Sequence, residues 1–402
     1  MTQKNNEKYI KKCIKLARKG EGKVSPNPLV GAVILDKNGK IAGYGWHQKY
    51  GEAHAEVNAV KMAKEKGIDI KGGTIFVSLE PCSHFGKTPP CCDLIIKEGL
   101  KKAVIGCVDP NPIVSGRGIQ KLKDAGIEVV TGILENECKK LNEIFIKNQL
   151  DNKPFIAIKT ASTLDGKIAT KNGSSKWITT EKARKHVQKL RNKYDAILTG
   201  SGTVIADNPS LTARIKNGTN PIRVIIDSNG RTSAESKVFN NDGTKVFLAV
   251  FAQTDTSKYP ENVEIIKCPK LESTGKIDLQ FLTRKLYEKG VRSILVEAGG
   301  TLNGAFIKEK LADKLYQFIA AKILGDKDGK NFAEGFDISD INNCVKLNIT
   351  NVKMFNQDIL IEADFLVEQP SSLFSTGCRT LQKNTLQAVF VDFLFAQALP
   401  FF

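Results

Sequence analysis

Four side chains constrain this chain more than any other feature: His54 and Glu56, two residues apart, then Cys82 after Pro81, then Cys91 beyond an eight-residue insertion. A His, two thiols and a carboxylate not needed as a ligand are what a hydrolytic zinc site requires, with a fourth position left for water and a base beside it. To use them together, the fold must bring three distant stretches to one point. His54 and Glu56 open a periodic segment marked by Ala55, Ala59, Met62 and Ala63, so both sit in the first turn of a helix and can face one point. Cys82 follows the apolar, β-branched run 74–79, a buried strand, and Cys91 precedes Leu94, Ile95 and Ile96, another helix start. The positive end of a helix dipole favours a thiolate there.

Taken singly, a His or Cys is most often a packed core residue, and Cys91 and Cys92 could be two small buried apolar groups. Taken together, the set has the pattern of a zinc deaminase, in which the metal activates water and the Glu passes a proton to the departing amine of a nucleobase. The commoner signature is Pro-Cys-x-x-Cys. Here the insertion 83–90 brings His84 and Lys87 to the mouth of the site. His84 is an alternative ligand, ranked below His54 because it would leave Glu56 without a metal to serve.

At 402 residues the chain is long for one core and comfortable for two domains. Its formal charge of +17 is spread along the chain without blocks of like sign, which fits a Lys-rich composition as well as an anionic partner; no nucleic acid is expected, because such a partner would leave the second half of the chain unexplained. The nine cysteines are unevenly spaced and include an adjacent pair, which does not make a disulfide framework and fits a reducing cytoplasm. No apolar run is long enough to cross a bilayer, and no membrane association is expected.

In chain order, an opening helix, a hairpin over 30–46, two βα units starting at 74 and 103, and a closing helix over 132–150 make a first α/β domain, residues 1–150. Asp109 and Asn111 lie just past a strand end, where open α/β sheets bind ligands. A polar linker at 151–154 leads into a second series of apolar runs at 155–161, 196–198, 223–227, 246–251, 293–297 and 315–324. The common dinucleotide fingerprint is absent. Instead, a strand ending at Glu297 runs into a glycine-rich stretch and then a helix over 305–310, a weak phosphate-cradle signal.

These residues resemble the bifunctional riboflavin-biosynthesis deaminase/reductase family. The resemblance rests on Ser25-Pro26-Asn27-Pro28, His54-Ala55-Glu56, Leu79-Glu80-Pro81-Cys82-Ser83-His84, Thr88-Pro89-Pro90-Cys91 and Asp109-Pro110-Asn111-Pro112. The long spacing between the thiols is normal in that family. In the second half it rests on Ser175-Lys176-Trp177, Asp195-Ala196-Ile197-Leu198-Thr199-Gly200, Asp207-Asn208-Pro209 and Glu297-Ala298-Gly299-Gly300, where Asn208 replaces a more usual Asp.

The resemblance implies a cytidine-deaminase-like three-layer α/β/α domain followed by a dihydrofolate-reductase-like α/β domain at 154–367. It implies Zn2+ on His54, Cys82 and Cys91, with Glu56 catalytic, and Asn27, His47, His84, Lys87, Asp109 and Asn111 on the deaminase substrate. NADPH would meet Ala161, Trp177, Thr203, Asp207, Ser228 and the run Gly299, Gly300, Thr301, Leu302, Asn303, Gly304 and Ala305. Lys159, Ser175, Arg191, Leu211, Arg214 and Glu297 would hold the phosphorylated pyrimidine for reduction. The implied reactions are deamination of 2,5-diamino-6-(5-phosphoribosylamino)pyrimidin-4(3H)-one, then reduction of the ribosyl group to give 5-amino-6-(5-phosphoribitylamino)uracil. A cytoplasmic homo-oligomer is expected. From Ser371 the chain leaves the family pattern, and 368–402 reads as an atypical tail.

Overall fold

The computed structural model describes residues 2–85, 89–111 and 115–366, so Lys87 and the tail lie outside the described residues. Its helices are α1 (Gln3–Ala17), α2 (Ala55–Glu65), α3 (Cys91–Lys97), α4 (Arg117–Asp124), α5 (Glu135–Leu141), α6 (Glu143–Asp151), α7 (Glu181–Lys193), α8 (Ser201–Asp207), α9 (Leu279–Glu288) and α10 (Gly300–Lys308).

Alternation along the strands builds the first half. Ala32, Ile34, Ile75, Val77, Ala103 and Ile105 face one way and pack with buried residues of α2, α3 and α4. Val33, Leu35, Phe76 and Val104 face the other way and meet Ile10, Cys13 and Leu16 of α1 and Cys138 of α5. The result is the expected three-layer arrangement around a five-stranded sheet. Its order is Ile41–Trp46, Gly31–Leu35, Thr74–Leu79, Lys102–Cys107, Glu128–Val130. The first three strands are antiparallel and the rest parallel, so Cys82 and Asp109 both follow the carboxyl ends of neighbouring parallel strands.

The second half is a nine-stranded sheet. Seven strands run parallel, in the order Val263–Cys268, Val246–Phe251, Ile222–Ile226, Ala196–Gly200, Ser293–Val296, Phe155–Thr163, Lys314–Ala320. The antiparallel hairpin Leu347–Phe355 and Asp358–Phe365 completes one edge. Leu282 and Leu286 of α9 and Phe306 of α10 fill one face. Val187 and Leu190 of α7 and Val204 of α8 fill the other.

Three expectations are corrected. The closing helix over 132–150 is two helices, because Asn142 between them turns its amide to Leu29, accepting from Leu29 N at 2.8 Å and donating to Leu29 O at 3.0 Å. Helix α10 begins at Gly300, not Ala305. The hairpin over 347–365 and the edge strand Val263–Cys268 were not expected at all.

Each half has its own sheet and core, yet residues 1–365 form one compact unit. Several polar contacts join the halves, among them the ion pair of Lys147 with Asp313 at 2.8 Å. Glu143 pairs with Lys193 at 3.1 Å and Lys314 at 2.9 Å, Asn148 Nδ2 donates to Arg292 O at 3.0 Å, and Ser25 Oγ donates to Asp195 at 3.0 Å.

Candidate active sites

His54 is the N-cap of α2 and Glu56 lies in its first turn, as the periodicity requires. Cys91 is the first residue of α3, and its N–H donates to Cys82 Sγ at 3.3 Å. His54 Nδ1 stands 3.6 Å from Cys82 Sγ and 3.4 Å from Cys91 Sγ. The three ligand atoms lie within 4.8 Å of one another, a soft and borderline donor set that fits a zinc ion. Cys91 S–H and His54 push the Cys82 thiol down, whereas the same Cys82 contact and burial raise Cys91. Cys92 points elsewhere, donating to Pro81 O at 3.3 Å and Gly118 O at 3.5 Å. Exposed His84 stands at the rim and is not part of the ligand cluster.

Glu56 is 3% exposed, and burial together with the Cys82 charge pushes its carboxyl up to about 7. A cavity of about 350 Å³ opens beside it, lined by Asn27, His47, His54, Cys82, His84, Asp109 and Asn111 among others. That volume lies within the range of small-molecule sites. His47 Nδ1 is 3.1 Å from Ala53 O, a pure acceptor, so Nδ1 carries the proton and Nε2 accepts from Asn27 Nδ2 at 3.1 Å. Burial pushes His47 down from the ordinary histidine value, in keeping with that neutral form.

The sequence reading gave Glu80 no role, although it stands in the Cys82 motif. Its buried carboxylate accepts from the N–H groups of Asp109 and Gly116 through Oε2, and of Gly118 and Ile119 through Oε1, at 2.9–3.2 Å. It thereby fixes Asp109 beside the cavity. Phe145 and Gln149 of α6 also line the cavity and were likewise missed.

In the second half, Lys159 midway along the strand Phe155–Thr163, Arg191 of α7 and Glu297 just past the strand Ser293–Val296 come together. Arg191 meets Glu297 through two hydrogen bonds of 2.8 and 2.9 Å and donates to Thr212 O at 3.2 Å, while Lys159 Nζ is 3.6 Å from Glu297. Burial would raise the Glu297 carboxyl, but the two cations hold it at about 2. Leu211 is buried next to Thr212, and Arg214 N reaches Gln188. Ala161 lies on the strand Phe155–Thr163, Thr203 and Asp207 on α8, and Ser228 just past the strand Ile222–Ile226. Asp207 pairs with Lys176 at 3.2 Å. Ser175 is half-buried, two residues from exposed Trp177, whose ring stacks under Arg184 at 4.3 Å.

The glycine-rich stretch divides. A Cβ on Gly299 would meet nothing within 4 Å, and α10 has no side-chain cap, so its first N–H groups and open approach fit a phosphate. Gly300 and Gly304 serve packing instead: a Cβ there would stand 2.4 Å from Asn331 O and 1.7 Å from Glu334 O. Asn303 is buried and donates to Ala298 O and Phe332 O.

A zinc-binding deaminase domain followed by a reductase domain is the class that this fold and its His/Cys/Cys group define. Residues 3–107 match the family described as the cytidine and deoxycytidylate deaminase zinc-binding region, and residues 154–361 match the RibD C-terminal domain. The chain belongs to the RibD family of bifunctional riboflavin-biosynthesis deaminase/reductases. It is 42% identical over 368 residues to the riboflavin biosynthesis protein RibD of Actinobacillus pleuropneumoniae, covering 90% of this chain and 95% of that one. Against RibD of Escherichia coli K12 it is 42% identical, covering 80% and 89%. A crystal structure of a diaminohydroxyphosphoribosylaminopyrimidine deaminase/5-amino-6-(5-phosphoribosylamino)uracil reductase from Thermotoga maritima superposes with a TM-score of 0.82 at 42% identity, covering 90% of this chain and 99% of that one.

Proposed function

We propose that the first site removes the 2-amino group of 2,5-diamino-6-(5-phosphoribosylamino)pyrimidin-4(3H)-one and that the second reduces the ribosyl group of the product to ribityl. One observation carries this reading: His54, Cys82 and Cys91 converge beside a buried Glu56 at the wall of a nucleotide-sized cavity. His54, Cys82 and Cys91 would hold Zn2+, which when bound acidifies water toward neutrality, and the second half would take NADPH as its hydride donor. Glu56 takes a proton from the attacking water and gives it to the amine, which leaves as ammonia. Asn27, neutral His47, Asp109 and Asn111 line the cavity for the base and ribose, His84 stands at its rim, and Lys87 would meet the phosphate.

In the reductase, Gly299 and the start of α10 receive a cofactor phosphate, with Ala161, Trp177, Thr203, Asp207, Ser228, Thr301, Leu302 and Ala305 around the cofactor. Lys159, Ser175, Arg191, Leu211 and Arg214 hold the substrate phosphate. Arg191 keeps donors beyond those that Glu297 and Thr212 take, because a guanidinium offers five. Glu297, itself an anion, acts on the phosphate only by aiming these cations.

The domain reading divides the chain into 1–150, 154–367 and the tail. No helix among the described residues is long and apolar enough to cross a membrane, which suits a cytoplasmic enzyme. A homo-oligomer is supported by the edge strand Leu347–Phe355, whose Ile349, Val352 and Met354 are each more than half exposed.

The test supplies purified protein with the diaminopyrimidine nucleotide and NADPH, following ammonia and NADPH absorbance. Cys92→Ser should retain zinc and Cys91→Ser should lose it. The opposite result in a metal assay overturns the ligand set.

A further inference from the structure

Helix α6 closes the first half in sequence, yet it presents Phe145 and Gln149, four apart and so on one face, to the cavity that holds His54 and Glu56. Phe145 offers an apolar surface, as expected of a pocket wall. Gln149 is different. Its amide carries both donors and an acceptor, it is half-buried, and its side chain makes no hydrogen bond among the described residues. A polar group placed this way has its donors and acceptor free to meet a ligand in the cavity.

The helix beneath it is firmly held. At its start, Asn142 clamps both backbone groups of Leu29, two residues beyond Asn27. Glu143 pairs with Lys193 and with Lys314, whose side chain is 1% exposed. Asn148, next to Gln149, donates to Lys153 O at 2.7 Å and Arg292 O at 3.0 Å. Residues of the second half thus fix the helix that carries a wall of the first half's cavity. The backbone that carries this amide is thus held in place, so binding orders only the Gln149 side chain itself.

We propose that Gln149 is a further substrate-binding residue of the deamination site, hydrogen-bonding an uncharged polar group of the nucleotide, either the ring's carbonyl and amine edge or a ribosyl hydroxyl. This rests on the deaminase reading of the cavity. Gln149→Leu keeps the size and removes the amide. One lost neutral hydrogen bond should raise KM for the diaminopyrimidine nucleotide about tenfold. The kcat should stay within about threefold, and zinc content and NADPH oxidation with the deaminated nucleotide should not change. If Gln149→Leu fails to fold, Gln149→Ala in a Glu56→Gln background is measured by calorimetric titration with the same nucleotide, where a Kd raised about tenfold over Glu56→Gln alone supports the assignment. An unchanged KM or Kd in a folded variant overturns it. Absence of deamination by the wild-type enzyme would instead overturn the reading of the site itself.

Discussion

Two glutamates largely withdrawn from solvent, one in each half, show how environment assigns opposite work to the same side chain. Glu56 is 3% exposed and has no Lys or Arg partner among the described residues, and burial pushes it up to about 7. Glu297 has a side chain 11% exposed, but Arg191 and Lys159 lie against it and hold it at about 2. A carboxyl that changes protonation near neutrality can carry a proton through a reaction, whereas one locked as an anion can only orient cations. The first suits hydrolysis at a metal. The second suits a site that must grip a phosphate and leave the redox step to its cofactor.

The largest expected effect breaks the first member of the pair. Glu56→Gln keeps the shape and removes the proton carrier, and a positioned acid/base contributes about two to four orders of magnitude in rate. Ammonia release should fall by that factor, while zinc content and NADPH oxidation with the deaminated nucleotide stay near wild type. Parallel loss of both activities in a folded variant would show that the halves do not work separately.

The contrast between these glutamates was only partly legible in the sequence. The zinc set could be read because ligand chemistry compresses into short motifs at the starts of α2 and α3. The central strands could be read because burial on both faces demands unbroken apolar runs, as in Thr74–Leu79 and Val246–Phe251. The break at Asn142 could not, since its cause is a contact with Leu29, 113 positions away. The hairpin over 347–365 was missed because its outer strand is mostly exposed and lacks an apolar run. Arg191 and Glu297 were both picked out as phosphate contacts, but their bidentate pairing spans 106 positions and depends on how α7 crosses the sheet. Glu80 sat in plain view beside Cys82, but its partners, Asp109, Gly116 and the start of α4, lie 29 to 39 positions away.

The second prediction concerns Glu297→Gln, which leaves Arg191 and Lys159 side by side without their counter-charge. The depressed carboxyl corresponds to about 3 kcal/mol of stability, and breaking a buried pair has a cost of similar size. Urea unfolding should show that loss, KM for the reductase substrate should rise as the cations lose their aim, and ammonia release should persist. The sign with pH follows from the direction of the shift. Because the folded value lies below the unfolded one, the contribution is complete above about 4.5 and fades as pH falls through about 2. Wild-type stability should therefore drop across that window, and Glu297→Gln should lack this part of the slope. An equal slope in both proteins would mean that the cations do not stabilise the anion.

The smallest effect tests a third glutamate, buried and held by backbone N–H groups rather than by cations. Glu80 is 4% exposed and is satisfied by four backbone N–H groups, two on each oxygen, with no side-chain cation among the described residues. In Glu80→Gln one oxygen becomes an NH2, so either the Asp109 and Gly116 donors or the Gly118 and Ile119 donors lose their acceptor. Unsatisfied buried donors cost about 1–3 kcal/mol, and the loop bearing Asp109 and Asn111 should loosen. Deamination should then show a KM raised severalfold with kcat little changed, zinc retained and reduction untouched. A fall in kcat as deep as that of Glu56→Gln, with KM unmoved, would show that Glu80 shares in the proton transfer and does more than hold the loop.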